Sequence, residues 1–298
     1  MENGILFIRK SINDENASFT HNNTCIELAF SHNEFHIGKY ALPKDSFLYA
    51  NATDDPSLIK SYTVIEGEIM ELKSRQVLKA GDIFIVGSEV AIHSFYNLEE
   101  TLLIVHEQVP KSVNTFKESS NSMIEMLNDI QAKDNYTKEH SERVYQLAKK
   151  MGLELKYHSK QIYNLNKASR FHDIGKVFID DYILNKPSGL SDEEYDQMKE
   201  HTKLSRDTIL EKFDEEVFMI INQHHERIDG SGYPLGLKGN QIAEEARVLA
   251  ICDSFDAMTT ERVYKKAMTR EAAFEELRAL AGTLYDPSLV ELFIQINQ

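Results

Sequence analysis

The second half of the chain carries seven imidazole and carboxylate side chains where amphipathic helices would place apolar ones. They are His140, His172, Asp173, His201, His224, His225 and Asp253. The helical period places His140 on the face of Val144 and Ala148. It likewise places Asp253 on the face of Leu249. Burying a polar group without a partner is unfavourable, so the fold must provide these side chains with hydrogen bonds, charge partners or metal ions.

A metal centre would satisfy all seven groups together, because imidazole and carboxylate are ligands of hydrolytic metal ions. For His140 or His201 alone, a hydrogen-bonded core histidine would be the preferred interpretation. Seven ligands exceed the needs of one tetrahedral zinc and suit two ions that share a bridging carboxylate. Such a pair forms a metal-bound hydroxide and stabilises the attacking and leaving oxygens of a displacement at phosphorus. The set therefore predicts phosphoester hydrolysis.

Local signals predict helix boundaries around these ligands. Gly175 is predicted to close the helix that carries His172. The capping box Ser191–Glu194 is predicted to start a helix that carries His201. The acidic run 191–196 is interpreted as that cap and a solvated face, not as a catalytic acid pair.

The two halves of the chain have different patterns. Short β-like runs such as 82–86, separated by glycine turns, predict an all-β barrel over residues 1–108. The polar stretch 109–120 is expected to be a linker, and residues 121–298 have a helical pattern. The predicted fold class is therefore multidomain, an all-β barrel followed by an all-α domain.

Composition narrows the compartment and the partners. The net charge of −15 argues against a nucleic acid polymer as partner, since such binding needs a basic surface. A small phosphate-bearing substrate stays compatible, because bound cations can dominate the local field. No apolar run approaches ~18 residues, and the start has no secretory signal pattern, so neither a membrane partner nor secretion is expected. With Cys25 and Cys252 expected to be reduced thiols, we predict a cytoplasmic protein.

The ligand-bearing motifs resemble those of the HD-GYP family, a subgroup of the HD metal-dependent phosphohydrolases. These motifs are NYTKEHSERV at 135–144, HDIGK at 172–176, ILNKP at 183–187, HHERIDGSGYPLGLKG at 224–239, DSFDAM at 253–258 and GTLYDP at 282–287. The resemblance covers residues from about 119 to the end. It implies a phosphodiesterase that hydrolyses cyclic di-GMP to pGpG and then GMP. It also implies two or three iron or manganese ions.

The resemblance assigns roles to individual residues. One ion would be held by His140, His172, Asp173 and Asp253, with Asp173 bridging, and the second by His201, His224 and His225. Asp173 and Lys176 are implied to be catalytic, with Lys176 near the scissile phosphate. Substrate contacts are implied for Lys176, Arg262, Lys265, Gly232, Tyr233 and Pro234. For Arg262 and Lys265 a solvated helix end stays the alternative. Tyr136 stands where some members place a glutamate ligand of a third metal, so the two-ion form is expected.

Several alternatives stay open. Zinc, nickel or cobalt would also suit these ligands. The substrate could instead be another nucleotide, such as a hybrid cyclic dinucleotide or (p)ppGpp, or the protein could be a cyclic-dinucleotide receptor with little turnover. The loop 229–234 has a structural interpretation as a tight glycine turn. In the family, this loop is linked to partner proteins, which would be of the GGDEF type or other signalling proteins.

The N-terminal half resembles a cupin barrel through residues 62–69, 78–86 and 92–95. The segment 54–60, where metal-binding cupins carry histidine and glutamate ligands, contains no histidine. We therefore predict a sensor or dimerisation module and not a second enzyme, which leaves a homodimer open. His32, Glu34 and His36 could share one face of a strand, although a surface strand edge is the preferred interpretation.

Overall fold

A computed structural model of the protein describes residues 18–21, 24–32, 35–51, 60–86, 92–107, 137–261 and 266–298. The chain divides into two compact units. The first comprises Met1–Met123 with His158–Lys160, and the second comprises Ile124–Tyr157 and Gln161–Gln298. The predicted linker 109–120 lies outside the described residues, so the predicted domain bounds stay predictions.

The first unit contains ten short strands among its described residues. They are β1 (Ser18–His21), β2 (Thr24–His32), β3 (Phe35–Leu42), β4 (Phe47–Asn51), β5 (Lys60–Glu66), β6 (Glu68–Glu71), β7 (Val77–Lys79), β8 (Ile83–Val86), β9 (Ile92–Asn97) and β10 (Thr101–Glu107). Six form an antiparallel sheet in the order β1-β2-β3-β10-β5-β8, and four form a second in the order β4-β9-β6-β7. The prediction of a β-rich first half is confirmed. Neither sheet closes on itself within the described strands, so the cupin barrel stays a prediction.

Buried and partly buried residues alternate along the strands, so one face of each sheet contributes to a common core. Leu103 and Val105 in β10 are fully buried, whereas Ile104 between them is only partly buried, as a period of two requires. The rings of Phe84 in the first sheet and Phe95 in the second lie 4.4 Å apart between centroids. The two sheets therefore bury their apolar faces against each other, and each large side chain so buried contributes about 1.5–3 kcal/mol.

The histidines near the hairpin between β2 and β3 do not share a strand. β2 ends at His32 and β3 begins at Phe35, and the hairpin register pairs His32 with Phe35 and Ser31 with His36. The one-strand interpretation of His32 and His36 was therefore wrong, because the chain reverses direction between them. Glu34 lies outside the described residues.

Helices make up the described part of the C-terminal half, which confirms the predicted helical character. The α-helices are α1 (Thr137–Glu154), α2 (Ser159–Phe171), α3 (Asp181–Leu184), α4 (Asp192–Lys199), α5 (His201–Leu204), α6 (Arg206–Leu210), α7 (Glu215–Gln223), α8 (Glu244–Thr259), α9 (Arg270–Leu280) and α10 (Pro287–Asn297). Two 3₁₀-helices span Ile174–Phe178 and Gly239–Gln241. Helices α1 and α8, which carry His140 and Asp253, pack against each other. None of the described helices is both long and apolar enough to cross a membrane.

The local signals were right about one boundary and wrong about another. The capping box at Ser191 is present, with the Glu194 side chain accepting from the Ser191 backbone, and it starts α4 as predicted. His201, however, begins the separate helix α5. Helix α2 ends at Phe171, so Gly175 does not close it but lies in the following 3₁₀-helix. Glycine is required at position 175 by a close contact with the backbone of His201.

Candidate metal centre

The structure brings the seven predicted ligands into one region of the helical unit. His140 projects from α1 and Asp253 from α8, while His172 and Asp173 lie between α2 and the 3₁₀-helix. His201 is the first residue of α5, and His224 and His225 directly follow α7. Five of these seven residues are at most 3% exposed, namely His140, His172, Asp173, His201 and His224. That they hold metal ions stays a proposal, which their geometry can test.

One group of donor atoms forms around His140. The Nε2 atoms of His140 and His172 lie 3.2 Å apart. The same nitrogen of His140 lies 3.2 Å from Asp253 Oδ1, and His172 Nε2 lies 3.5 Å from Asp173 Oδ2. The donor atoms of His140, His172 and Asp173 all fall within 4.8 Å of one another. A single cation could contact them together, since metal ligands lie about 2.0–2.6 Å from their ion.

A second group is formed by three histidines. Donor atoms of His201, His224 and His225 also fall within 4.8 Å of one another. The Nε2 atoms of His201 and His224 are buried and have no hydrogen-bond partner within the described part of the chain. Because an unpaired buried nitrogen is unfavourable, this arrangement fits a cation that would accept both lone pairs.

Asp173 connects the two groups through its two carboxylate oxygens. Its Oδ2 faces the first group, 3.5 Å from His172 Nε2 and 3.9 Å from His140 Nε2. Its Oδ1 lies 3.7 Å from His201 Nε2 in the second group. A carboxylate so placed could bridge two cations, one on each side.

Three of the histidines are oriented by the same local device. The Nδ1 atoms of His172, His201 and His224 lie 3.0, 2.7 and 2.5 Å from the carbonyl oxygens of Ser169, Met198 and Ile221. Each carbonyl belongs to the residue three positions earlier. A carbonyl can only accept, so Nδ1 must carry the proton and Nε2 keeps its lone pair. This is the tautomer that a metal-binding Nε2 requires.

His140 is oriented by a carboxylate that the sequence interpretation missed. Its Nδ1 donates to Asp256 Oδ2 at 2.7 Å. Arg143 donates to the same carboxylate through Nε at 2.6 Å and Nη2 at 3.0 Å. Asp256 follows Asp253 by three positions and Arg143 follows His140 by three, so helical spacing could have placed each pair on one face. Asp256 is a positioning residue, since it acts through His140.

The two aspartates of the centre are ionised, as the pKa shifts of their carboxyl groups indicate. Burial would raise the pKa of Asp173, but the positive charge of Lys176, with a further contribution from His140, outweighs burial and holds the pKa well below its usual range. Burial likewise opposes ionisation of Asp253, yet the hydrogen bond from His140 keeps its pKa well below normal. Both acids are therefore carboxylates that would attract cations.

The imidazoles of the second group and His172 stay neutral. Burial lowers the pKa of His172, His201 and His225, and it lowers that of His224 to about 3. His140 differs, because its hydrogen bonds to Asp253 and Asp256 outweigh burial and raise its pKa to about 9. A cation would compete with that proton, since only the neutral imidazole is a ligand.

Gly175 lets the two groups approach each other. A Cβ atom at this position would lie 1.8 Å from the carbonyl oxygen and 2.7 Å from the carbonyl carbon of His201. The 3₁₀-helix that follows Asp173 therefore lies directly on the backbone of His201. Only glycine leaves room for this contact.

The loop after the paired histidines forms one edge of the centre. A Cβ at Gly232 would meet the backbone nitrogen of Arg227 at 2.3 Å, so this turn packs directly on the preceding chain. The buried carboxylate of Glu226, which the sequence interpretation missed, accepts from the backbone N–H groups of Leu235 at 2.6 Å and Leu237 at 2.9 Å. These bonds hold Tyr233 with its ring centroid 4.8 Å from that of His225.

The predicted substrate contacts are placed unevenly. Lys176 lies at the centre, with its Nζ 2.7 Å from Asp173 Oδ2. Gly232, Tyr233 and Pro234 are partly exposed beside it, as are His225 and Asp253, so the centre is accessible from this side. Arg262 and Lys265 lie outside the described residues. Their role stays a prediction.

The part of the chain that contains the seven predicted ligands matches a known protein family. The family model described as "HD domain" matches residues 122–289 of the chain. An HD domain implies divalent metal binding, and the two groups of histidines and aspartates could provide it. The identity of the metal stays open.

Curated relatives share part of the chain. A cyclic di-GMP phosphodiesterase of Thermotoga maritima is 34% identical over 68% of this chain and 56% of its own length. The cyclic di-GMP phosphodiesterase response regulator RpfG of Xanthomonas campestris pv. campestris is 32% identical over 67% of this chain and 54% of its own. The 3'3'-cGAMP-specific phosphodiesterase 2 of Vibrio cholerae is 32% identical over 64% of this chain and 37% of its own length. The chain thus spans about half the length of the first two relatives.

A methyl group at Gly175 should separate the two ligand groups. Because the added Cβ would meet the His201 carbonyl at 1.8 Å, we expect Gly175→Ala to displace His201 and weaken metal binding by at least about tenfold. The measurement is metal content after dialysis against a graded series of chelator concentrations. Gly189→Ala is the matched control, because its Cβ would have nothing within 4 Å. Equal metal retention in both variants would contradict this role.

Loss of the Asp256 charge should release His140. We expect Asp256→Asn to lower metal affinity by about 10- to 100-fold, as removal of a partner of a ligating histidine does. Chelator competition measures this affinity. Asp207→Asn serves as the control, since the Asp207 side chain is 97% exposed. An affinity that stays at the wild-type value in the Asp256 variant would show that His140 needs no such support.

Proposed function

Because this chain belongs to the HD domain family, we propose that it is a metal-dependent phosphodiesterase that hydrolyses cyclic di-GMP to pGpG, GMP or both. The observation that carries the proposal is the pair of ligand groups joined by the two oxygens of Asp173. These residues would hold a pair of divalent cations, with iron or manganese preferred, which would supply Lewis acidity and activate water for attack at phosphorus.

The ligand roles follow the two groups. We assign His140, His172, Asp173 and Asp253 to the first ion and His201, His224 and His225 to the second, with Asp173 shared. The carbonyl contacts that fix Nδ1–H in three of these histidines support the assignment. The carboxylates of Asp173 and Asp253 supply the negative charge that two divalent cations need nearby.

Lys176 is the residue that we place next to the reacting phosphate. Its ammonium is partly exposed and lies at the edge of the centre, held by Asp173. A positive charge in this position would stabilise negative charge that develops on phosphoryl or leaving-group oxygens. Gly232, Tyr233 and Pro234 would border the substrate on the loop side. Arg262 and Lys265 are proposed as further contacts to the dinucleotide.

A second substrate has specific support. Three of the curated relatives from Vibrio cholerae are named 3'3'-cGAMP-specific phosphodiesterases, whereas the relatives from Thermotoga maritima and Xanthomonas campestris pv. campestris are named for cyclic di-GMP. The two molecules differ in one base and present similar phosphodiesters. Hydrolysis of 3'3'-cGAMP is therefore the second candidate function, and it would use the same metal centre.

We propose that the N-terminal unit is a cupin-like module for sensing or dimerisation. We also propose that the protein is cytoplasmic. The two antiparallel sheets that share one core are compatible with such a module. Signalling proteins, including those of the GGDEF type, are proposed partners for the loop around Tyr233.

The substrate assignment is tested with protein prepared without oxygen and loaded with Mn²⁺ or Fe²⁺. We expect release of pGpG or GMP from cyclic di-GMP, followed by nucleotide chromatography, with 3'3'-cGAMP and (p)ppGpp assayed in parallel. Faster turnover of 3'3'-cGAMP would favour the second candidate. Absence of any nucleotide product from either cyclic dinucleotide at every metal loading would refute both.

Asp173→Asn should remove turnover, because an amide supplies neither the charge nor the second anionic oxygen for a shared ligand. We expect kcat for the better cyclic dinucleotide to fall by at least about a hundredfold. Circular dichroism should report unchanged helix content, and Asp207→Asn should keep wild-type kcat. A folded Asp173 variant with more than a tenth of wild-type kcat would rule out the proposed role.

A further inference from the structure

We propose that Tyr195 and Lys199 of helix α4 form, with Tyr233, a subsite that stacks one purine base of the dinucleotide. This inference rests on the proposed function, because it locates a base of the same substrate whose phosphate lies at the metal centre. It extends the substrate-contacting surface from the loop to a helix that the sequence interpretation treated as a solvated face.

Tyr195 is a large aromatic residue without a place in the protein core. It is 50% exposed, and α4 contains no fully buried residue. Its ring lies 6.5 Å from that of Tyr233 between centroids, at an interplanar angle of 80°. This edge-to-face contact fixes the orientation of Tyr195 while half of the residue stays open to solvent. An exposed, oriented ring is what a flat base requires for stacking.

Lys199 connects the two tyrosines. Its Nζ lies 5.1 Å from the centroid of the Tyr195 ring and 6.0 Å from that of the Tyr233 ring. Both distances are within the range of cation–π attraction. Lys199 also forms an ion pair with Asp196. The ammonium therefore lies beside both rings, and its ion pair with Asp196 holds it there.

The two tyrosines are connected to the metal centre through short contacts. Tyr233 stands 4.8 Å from the proposed ligand His225, measured between ring centroids. Helix α4 ends at Lys199, two positions before the proposed ligand His201. A phosphate at the centre and a base over Tyr195 would thus occupy adjacent positions. The arrangement suits a nucleotide, in which phosphate and base are separated by one sugar.

Other exposed aromatic residues of the helical unit lack this connection. Phe178 and Tyr182 are 53% and 60% exposed. Among the described ring contacts, neither residue touches Tyr233 or a histidine of the centre. Tyr182 is therefore a matched control, a solvent-exposed tyrosine on the short helix α3 that we do not place in the binding site.

The test compares Tyr195→Ala, Tyr195→Phe and Tyr182→Ala in the metal-loaded full chain. Loss of one base–aromatic stack should raise KM for cyclic di-GMP by about 5- to 150-fold while kcat stays within about twofold. Tyr195→Phe keeps the ring and Tyr182→Ala leaves the subsite intact, so both should have wild-type values. Metal content should be the same in all four proteins.

Competitive inhibition by GMP and by ribose 5-phosphate distinguishes a lost contact with the base from a general structural effect of the substitution. With bis(p-nitrophenyl) phosphate as the chromogenic substrate, Tyr195→Ala should weaken inhibition by GMP at least fivefold. Inhibition by ribose 5-phosphate, which has the phosphate and sugar but no base, should not change. Equal weakening of both inhibitors, or of neither, would overturn the proposed subsite.

The same assays distinguish failure of this inference from failure of the proposed function. If wild-type protein hydrolyses cyclic di-GMP and Tyr195→Ala has an unchanged KM, only the subsite is wrong. If wild-type protein cleaves the chromogenic diester but no cyclic dinucleotide, the proposed function is wrong and the comparison of GMP with ribose 5-phosphate still decides the subsite. Protein that binds metal and cleaves neither substrate would reject both proposals.

Discussion

A carboxylate buried among side chains is unfavourable unless positive charge lies close to it, and the ammonium of Lys176 meets this condition for Asp173. Lys176 contacts one of its oxygens, and imidazoles from three separate segments surround both of them. Asp173 therefore holds the parts of the centre in register. Everything proposed about hydrolysis depends on its two oxygens facing different groups of histidines.

Several ligands of the centre are oriented by contacts within their own turn of the chain. Three histidines use the carbonyl three residues earlier to fix the Nδ1 proton, so each turn of chain delivers a neutral imidazole with its Nε2 lone pair inward. Gly175 then permits the backbone after Asp173 to touch that of His201. These features concern how the ligands are presented. They leave Asp253 and His225 at the accessible side, where a phosphodiester would approach.

Much of the candidate site could be predicted from sequence because helical periodicity shows which polar residues replace apolar ones. His140 and Asp253 lie on the faces that their spacing indicated, and the capping box at Ser191 is formed. Gly175 was misinterpreted as a helix end, since a close contact with the distant residue His201 leaves no local signal. The link from His140 to Asp256 depends on how α1 packs on α8, and periodicity within one helix does not report such packing.

The central claim is that Asp173 joins two cation sites, and anomalous scattering tests it most directly. Crystals of protein loaded with Mn²⁺ or Fe²⁺ without oxygen would be measured on both sides of the absorption edge of the metal. We expect two anomalous peaks per chain, one beside His140, His172 and Asp253 and one beside His201, His224 and His225, with an Asp173 oxygen facing each. A single peak, or two peaks of which Asp173 contacts only one, would contradict this claim.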